Sequence, residues 1–399
     1  MTCSKAYILN FFATHRSVIL FVAFVLLQKF SFAQSLKDPA YIGYSFAAGK
    51  IIKNFPVFPE LKMATLQSVT IGNKLNGTRA WHPYYKFPMA SFQFIYGSLG
   101  NRKEVGAMFN LLYRLEFQFK LNDKLFLEAI PAFGGSYFTK RYDELDNPNN
   151  VIIGSHLTFC AAATVGIRYF INPFWSVDLQ GSIYHYSNSH YKLPNSGANI
   201  TVAGLGMRYH IKPATFLLGE KSLLPDKKTH LSVRIALGQN EQGNTTFPVN
   251  GPRYPIYLAA FYATKYVTPV NKLHAGLEGW YNTGVYDFIT SQEYYDDNLR
   301  WRSTALQFVL GHEFLMGHFS MLTNGGVYLY NPVFKERLKR ENNNTLHNKL
   351  KSRLTARIGF QYYLHDATLY SRNNWFAGVY IKTNLGQADF LEGSIGYCF

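Results

Sequence analysis

Read with a period of two, the segment from Phe174 to Asn199 separates into two faces. Trp175, Val177, Leu179, Gly181 and Ile183 form an apolar series, and Ser176, Asp178, Gln180, Ser182, Tyr184 and Tyr186 a more polar one. Successive side chains of a β-strand point to opposite faces, so this pattern predicts a strand with one greasy and one wet side. Residues 155–170 repeat it, with Leu157, Phe159, Ala161, Ala163, Val165, Ile167 and Tyr169 set against His156, Thr158, Thr164 and Arg168. Cys160 falls on the polar series as a space-filler. Further alternating segments run over 41–51, 64–73, 86–96, 104–120, 124–140, 199–211, 230–238, 255–267, 272–280, 301–315, 318–330, 352–364, 374–385 and 390–399, and nothing reads as a long amphipathic helix.

The expected fold is all-β: an antiparallel transmembrane β-barrel of about 14–16 strands, with two tandem eight-stranded barrels as the alternative. Residues 212–228 lose the alternation and gain charge, which marks a linker or plug-like excursion between a portion at 34–211 and a second at 229–399. HFSMLTNGGVYLYN (318–331) echoes FWSVDLQGSIYHYS (174–187), and ARIGFQYYL (356–364) echoes AGLGMRYHI (203–211). The second portion therefore reads as a partial, degenerate repeat. The continuity of the echo favours one large barrel over two small ones. Where the first copy has His185 and Ser187, the second has Leu329 and Asn331.

Composition supports a membrane barrel. The 33 Phe and 29 Tyr, against 5 Trp, suit aromatic girdles at two membrane interfaces. Residues 1–33 read as a signal peptide: basic residues precede the apolar run Ser17–Leu27, and Ser31-Phe32-Ala33 offers a small-x-small cleavage site. Only Cys160 and Cys398 would then remain, too few for a disulfide framework. The leader holds three of the 40 basic residues and none of the 24 acidic ones, so the formal net charge of +16 falls to about +13. In an exported chain without a nucleic-acid motif, that charge points to anionic lipid headgroups and not to nucleic acid. The closing strand ends on Phe399, which resembles the C-terminal signature of barrels of the bacterial outer membrane. With that end in the periplasm, Pro332–Lys351 and Ser189–Ala198 are outer loops, the long ones. His185 and Ser187 then sit at the outer-leaflet end of their strand, where lipopolysaccharide is found.

His185 and Ser187 continue the outward odd series. Positions i and i+2 of a strand share a face about 6–7 Å apart at the backbone, close enough for an imidazole to take the proton of a hydroxyl, which is a poor nucleophile without a base. Asn199 begins the next strand on the same outward series, as a third member able to fix the imidazole tautomer. Each residue has an ordinary alternative, since a His near a strand end suits an interface and Ser-Asn before a loop is turn chemistry. Their conjunction argues for chemistry.

The stretch HYSNSHYKLPNSGAN (185–199) resembles the lipid A 3-O-deacylase (PagL-like, acyloxyacyl hydrolase) family, whose pattern is His-x-Ser-Asn, a short loop, then Pro-Asn-x-Gly-x-acid. KRYDELDNPNNVIIGSHL (140–157) also looks like a segment of longer homologues among exported barrels. The resemblance implies an outer-membrane esterase that removes a 3-hydroxyacyl chain from lipid A by Ser/His catalysis. By the same resemblance His185 is the general base and Ser187 the nucleophile. The backbone around Asn188 is an oxyanion donor, and Asn195 and Gly197 shape the loop. One departure stands out: Asn199 occupies the place of the family's acid, which predicts weaker activity, and Asp178 lies on the inward face where it cannot substitute. His190 and Tyr191 read as loop surface, and the basic run Lys335, Arg337, Lys339, Arg340, Lys349, Lys351 and Arg353 as a solvated outer loop or a grip on phosphates. No zinc, calcium or nucleotide spacing occurs, so no metal or cofactor is expected. The competing reading is a non-catalytic barrel, a channel or a lipopolysaccharide-binding structural protein.

Overall fold

The computed structural model describes residues 40–53, 58–75, 79–213, 220–243, 246–342 and 345–399. The expected signal peptide lies outside them. The first eight strands are β1 (Tyr41–Ile52), β2 (Ala64–Lys74), β3 (Met89–Ser98), β4 (Met108–Lys120), β5 (Leu125–Phe138), β6 (Leu157–Asn172), β7 (Trp175–Ser187) and β8 (Ala198–His210). Each pairs antiparallel with the next, and β8 returns to β1 with Asn199 opposite Ile52 and Tyr209 opposite Ile42. The second eight are β9 (Thr229–Glu241), β10 (Arg253–Thr268), β11 (Asn271–Asn282), β12 (Thr304–Met316), β13 (Phe319–Tyr330), β14 (Leu354–Tyr363), β15 (Asn374–Asn384) and β16 (Gln387–Cys398), closed by β16 on β9.

The chain thus forms two tandem eight-stranded barrels, the alternative arrangement, and not the single large barrel that the internal echo favoured. Pairing of β8 with β1 consumes the edge a continuing sheet would need, and no strand spans the described part of 212–228. The echoing segments lie on the seventh strand of the first barrel and the fifth of the second. Helices appear that alternation did not predict: Thr283–Ser291, Leu299–Arg302, Pro332–Arg340 and Leu346–Lys351, all in connections at one end of the second barrel. β3 starts at Met89 and not at Lys86, because Lys86 (φ 57°) and Phe87 (φ 53°) close a short 3-10 turn over His82–Tyr85.

Register sets which residues face outward. At the short-turn end, Asn172 Oδ1 accepts the N–H groups of Phe174 and Trp175, both at 2.9 Å, and Asn122 Oδ1 those of Lys124 and Leu125. These Asx turns lock the β6–β7 and β4–β5 hairpins, and a one-residue slip would exchange the two faces. Val165, Leu179, Leu205, Ile235 and Leu310 are exposed on the outer walls, a continuous apolar surface that an aqueous protein would not leave bare.

The interiors are polar and filled. In the first barrel Arg168 forks onto Glu128 with two bonds of 2.6 Å and reaches Asp178 at 3.1 Å. Glu116 accepts from Tyr41, Ser91 and Arg208, each at 2.5 Å. In the second, Arg234 and Arg357 share Glu278 and Glu392, and Lys272 pairs with Glu313 at 2.8 Å. Eight-stranded barrels have a lumen just wide enough for side chains, and here the packing is ionic.

The barrels stand side by side with the same polarity. Phe133 of β5 stacks on Phe360 and Phe319, with ring centroids 4.0 and 6.0 Å away. At the short-turn end Tyr85 donates to the Val270 carbonyl at 3.1 Å, and at the other Asn250 donates to Glu144 at 2.6 Å.

Because removing one member of a buried ion pair leaves its partner uncompensated, Glu128→Gln is expected to cost about 3 kcal/mol. The check is a lower melting temperature for the heat-modifiable gel band of the folded protein; Leu179→Ala, on the outer wall, should leave it in place.

Candidate active site

β7 and β8 bring the outward residues of the sequence motif together. In their antiparallel register His185 stands directly opposite Asn199, and the His185 Nδ1–H donates to Asn199 Oδ1 at 2.6 Å. An amide oxygen only accepts, so this bond keeps the proton on Nδ1 and leaves Nε2 as the basic nitrogen. His185 is exposed on the outer wall, while Ser187, two residues on, is 9% exposed beneath its own loop. A Cβ placed on Gly197 would lie 3.8 Å from His185 Cε1, 3.9 Å from Ser187 Cβ and only 2.9 Å from the Tyr186 carbonyl. Imidazole and serine therefore border one small space, kept open by a glycine whose φ of +67° also suits no other residue well. Among the described residues Nε2 has no hydrogen-bond partner. Such contacts are often long until substrate closes the site.

The Ser187 hydroxyl is held from the other side. Its Oγ accepts from Asn195 Nδ2 at 3.0 Å and from the Ser189 N–H at 3.1 Å. Ser189 and His190 adopt left-handed φ values of 58° and 66°, which turn the chain back sharply after β7. Asn188 folds the loop: its N–H donates to Asn195 Oδ1 at 3.2 Å, and its Nδ2 to the Lys192 carbonyl at 2.6 Å and to Ser155 Oγ at 3.2 Å. The Asn188 N–H, assigned from the motif to an oxyanion, is thus engaged within the loop. Asp178 is in the lumen on Arg168, as its inward series required.

Two walls support this loop, and sequence reasoning identified neither contact set. Ser196 N–H donates to the Val151 carbonyl at 3.2 Å, in the 139–156 connection whose Ile152 and Ile153 are buried. On the other side lies the second barrel. His190, expected on the loop surface, is buried with its ring bonded to the Gly243 backbone, and Leu193 is 0% exposed. Glu241 accepts from the Leu193 N–H at 2.8 Å, and Arg253 donates to the Tyr191 hydroxyl at 2.8 Å. The sequence marks Glu241 only as an acid ending a strand.

Among the described residues the second barrel has no matching site. Leu329 is exposed near the end of β13, and β15–β16, which occupies the place of β7–β8, turns through Leu385 and Gly386. The outer basic run is partly self-paired, Arg337 with Glu341 at 2.7 Å and Arg340 with Glu336 at 3.1 Å. Among the described residues no cluster of His, Cys, Asp and Glu could hold a metal ion.

Burial holds the His190 imidazole below its usual pKa, against the opposing pull of Asp389, Glu241 and the Gly243 bond; Lys351 adds to the lowering. A histidine whose folded pKa is depressed contributes fully above its unfolded value of about 6.5, and that contribution is lost as pH falls below it. Proteolytic cleavage within 188–197 should accelerate when pH is lowered from about 7.5 to about 5.5, and His190→Gln should flatten that dependence.

Residues 69–208 match the family model of the lipid A 3-O-deacylase (PagL), and residues 228–399 that of the acyloxyacyl hydrolase C-terminal domain. Among solved structures, the outer membrane enzyme PagL is 18% identical over 42% of this chain and 99% of its own, with a TM-score of 0.27. Neisserial surface protein A is 12% identical over 43% of this chain and 96% of its own, with a TM-score of 0.27. An outer membrane channel from Pseudomonas putida F1 is 11% identical over 90% of this chain and 96% of its own, with a TM-score of 0.21. No curated protein matches in sequence. In this protein of the bacterial outer membrane, the first barrel thus matches the lipid A 3-O-deacylase (PagL) family and the second the acyloxyacyl hydrolase C-terminal domain.

Proposed function

We propose that the protein is an esterase that removes a 3-hydroxyacyl chain from lipid A in the outer leaflet, with Ser187 as nucleophile, His185 as general base and Asn199 as the residue orienting the imidazole. The observation that carries this reading is the 2.6 Å bond from His185 Nδ1 to Asn199 on the outer wall, with Ser187 beside it. A site on that wall meets lipid A without drawing it out of the membrane.

In the first step His185 Nε2 takes the Ser187 proton as Oγ attacks the ester carbonyl carbon. The carbonyl oxygen becomes an oxyanion, and its collapse expels the sugar hydroxyl, which receives the proton from the imidazolium. Water, deprotonated by the same nitrogen, then attacks the acyl-serine; the fatty acid leaves and Ser187 is regenerated. The oxyanion needs donors fixed close to Oγ. Ser189 N–H and Asn195 Nδ2, both within 3.1 Å of Oγ, are better disposed for it than the engaged Asn188 N–H. Asn199 holds the tautomer but brings no negative charge to the imidazolium, so turnover is modest. Gly197 keeps the approach clear. A channel is the competing reading, and lumens filled by Arg168, Glu128, Arg234 and Glu278 speak against it.

Lipid A mass spectra from cells carrying the protein should show loss of one hydroxyacyl mass, and Ser187→Ala should abolish it; retained loss in that variant would sink the proposal. His185→Ala should lower the rate by roughly 10²–10⁴-fold. Asn199→Asp should raise kcat about three- to tenfold by stabilising the imidazolium, measured as fatty acid release in detergent.

A further inference from the structure

We propose that the second barrel is a clamp on the catalytic loop, with Glu241 as its positioning residue, so that the first barrel is fully active only when its neighbour holds residues 190–193. The inference rests on Ser187 as the nucleophile and adds what sets its surroundings.

The connection after β7 is an outer loop on a small barrel, and such loops are ordinarily the mobile, solvated parts of a structure. Here Ser189, His190 and Leu193 are buried. Two hydrogen bonds cross from one barrel to the other, one to a side chain and one between main chains: the Leu193 N–H donates to Glu241 Oε2 at 2.8 Å, and the Glu241 N–H donates to the His190 carbonyl at 3.1 Å. The ties at 190 and 193 fall between Ser189 and Asn195, the two residues that donate to Ser187 Oγ. A shift of the tied segment therefore moves both donors, and rate is steeply sensitive to such misplacement.

The clamp is built on its own side too. The second carboxylate oxygen of Glu241 accepts the Gly251 N–H at 2.7 Å, so one side chain joins the second barrel's β9–β10 loop to the first barrel's catalytic loop. Arg253, at the start of β10, donates to Tyr191 and lies 4.1 Å from its ring centre. Leu193 seats against Gly243: a Cβ there would approach Leu193 Cδ1 to 2.7 Å. Glutamine cannot replace Glu241, because one of its two terminal groups is a donor and would face an N–H. Among the described residues the second barrel has no counterpart of the His185–Ser187 loop, consistent with a role as scaffold.

The test compares the full-length wild type with Glu241→Ala, Glu241→Gln and Gly243→Ala in detergent. Fatty acid release gives kcat and KM, trypsin cleavage after Lys192 reports loop order, and heat-modifiable migration reports folded barrels. The expected result is a kcat lower by tenfold or more in all three variants, KM within twofold, the folded band retained and Lys192 cut faster. Unchanged kcat and unchanged cleavage in folded Glu241→Ala would overturn the clamp. If that variant does not fold, Gly243→Ala decides in the same way. A wild type that releases no fatty acid would instead defeat the esterase reading, and Lys192 cleavage alone would then decide whether Glu241 orders the loop.

Discussion

Hydrocarbon offers the backbone no hydrogen-bond partner, so a β-structure that crosses a membrane must satisfy every N–H and C=O within itself. That constraint closes β8 onto β1 and β16 onto β9, and the rest follows from the closure. Once a small barrel is closed, each strand has a narrow inside and a lipid-facing outside, and side chains alternate between them. Chemistry directed at a membrane lipid has to be carried on the outside series. His185 and Asn199 are on it and directly opposite one another. The cross-strand pair is the natural unit of such a site, since opposite residues of two paired strands are nearest neighbours on one face.

The two faces solve different problems. Outside, apolar residues meet lipid and provide little that is specific. Inside, the space suits large side chains, and the protein fills it with arginine and carboxylate pairs whose partners come from several strands: Glu128 of β5 with Arg168 of β6, Glu116 of β4 with Arg208 of β8. Pairs of this kind are sensitive to loss of either partner, and they tie one register across the barrel. A rigid wall is what the outward pair needs, because a hydroxyl and an imidazole two residues apart are useful only if the strand between them does not flex.

The loop after β7 is where the two barrels meet at their outer ends. Its own asparagines fold it, the 139–156 connection backs it, and Glu241 and Arg253 reach it from the neighbouring barrel. A seam of stacked aromatics around Phe133 keeps the barrels together below these contacts.

The alternation of Trp175–Ile183 and its repeats determined the strands, their faces and the outward placement of His185 and Asn199, because a period of two depends on nothing but neighbouring residues; it did not show that Ser187, at the end of β7, is buried beneath the loop that follows. The inward assignment of Asp178 followed from the same rule. Closure did not: whether β8 continues to another strand or returns to β1 is a matter of which distant edges meet, and the echo between β7 and β13 pointed toward one large barrel. Nor did the loop contacts. His190 read as surface because nothing near it in the chain is apolar enough to cover it, and Glu241, 48 positions beyond Leu193, carries no local signature. Local chemistry wrote the strands and the motif, whereas the partners of the loop came from long-range packing of two closed sheets, which residues far apart in sequence settle only once both have folded.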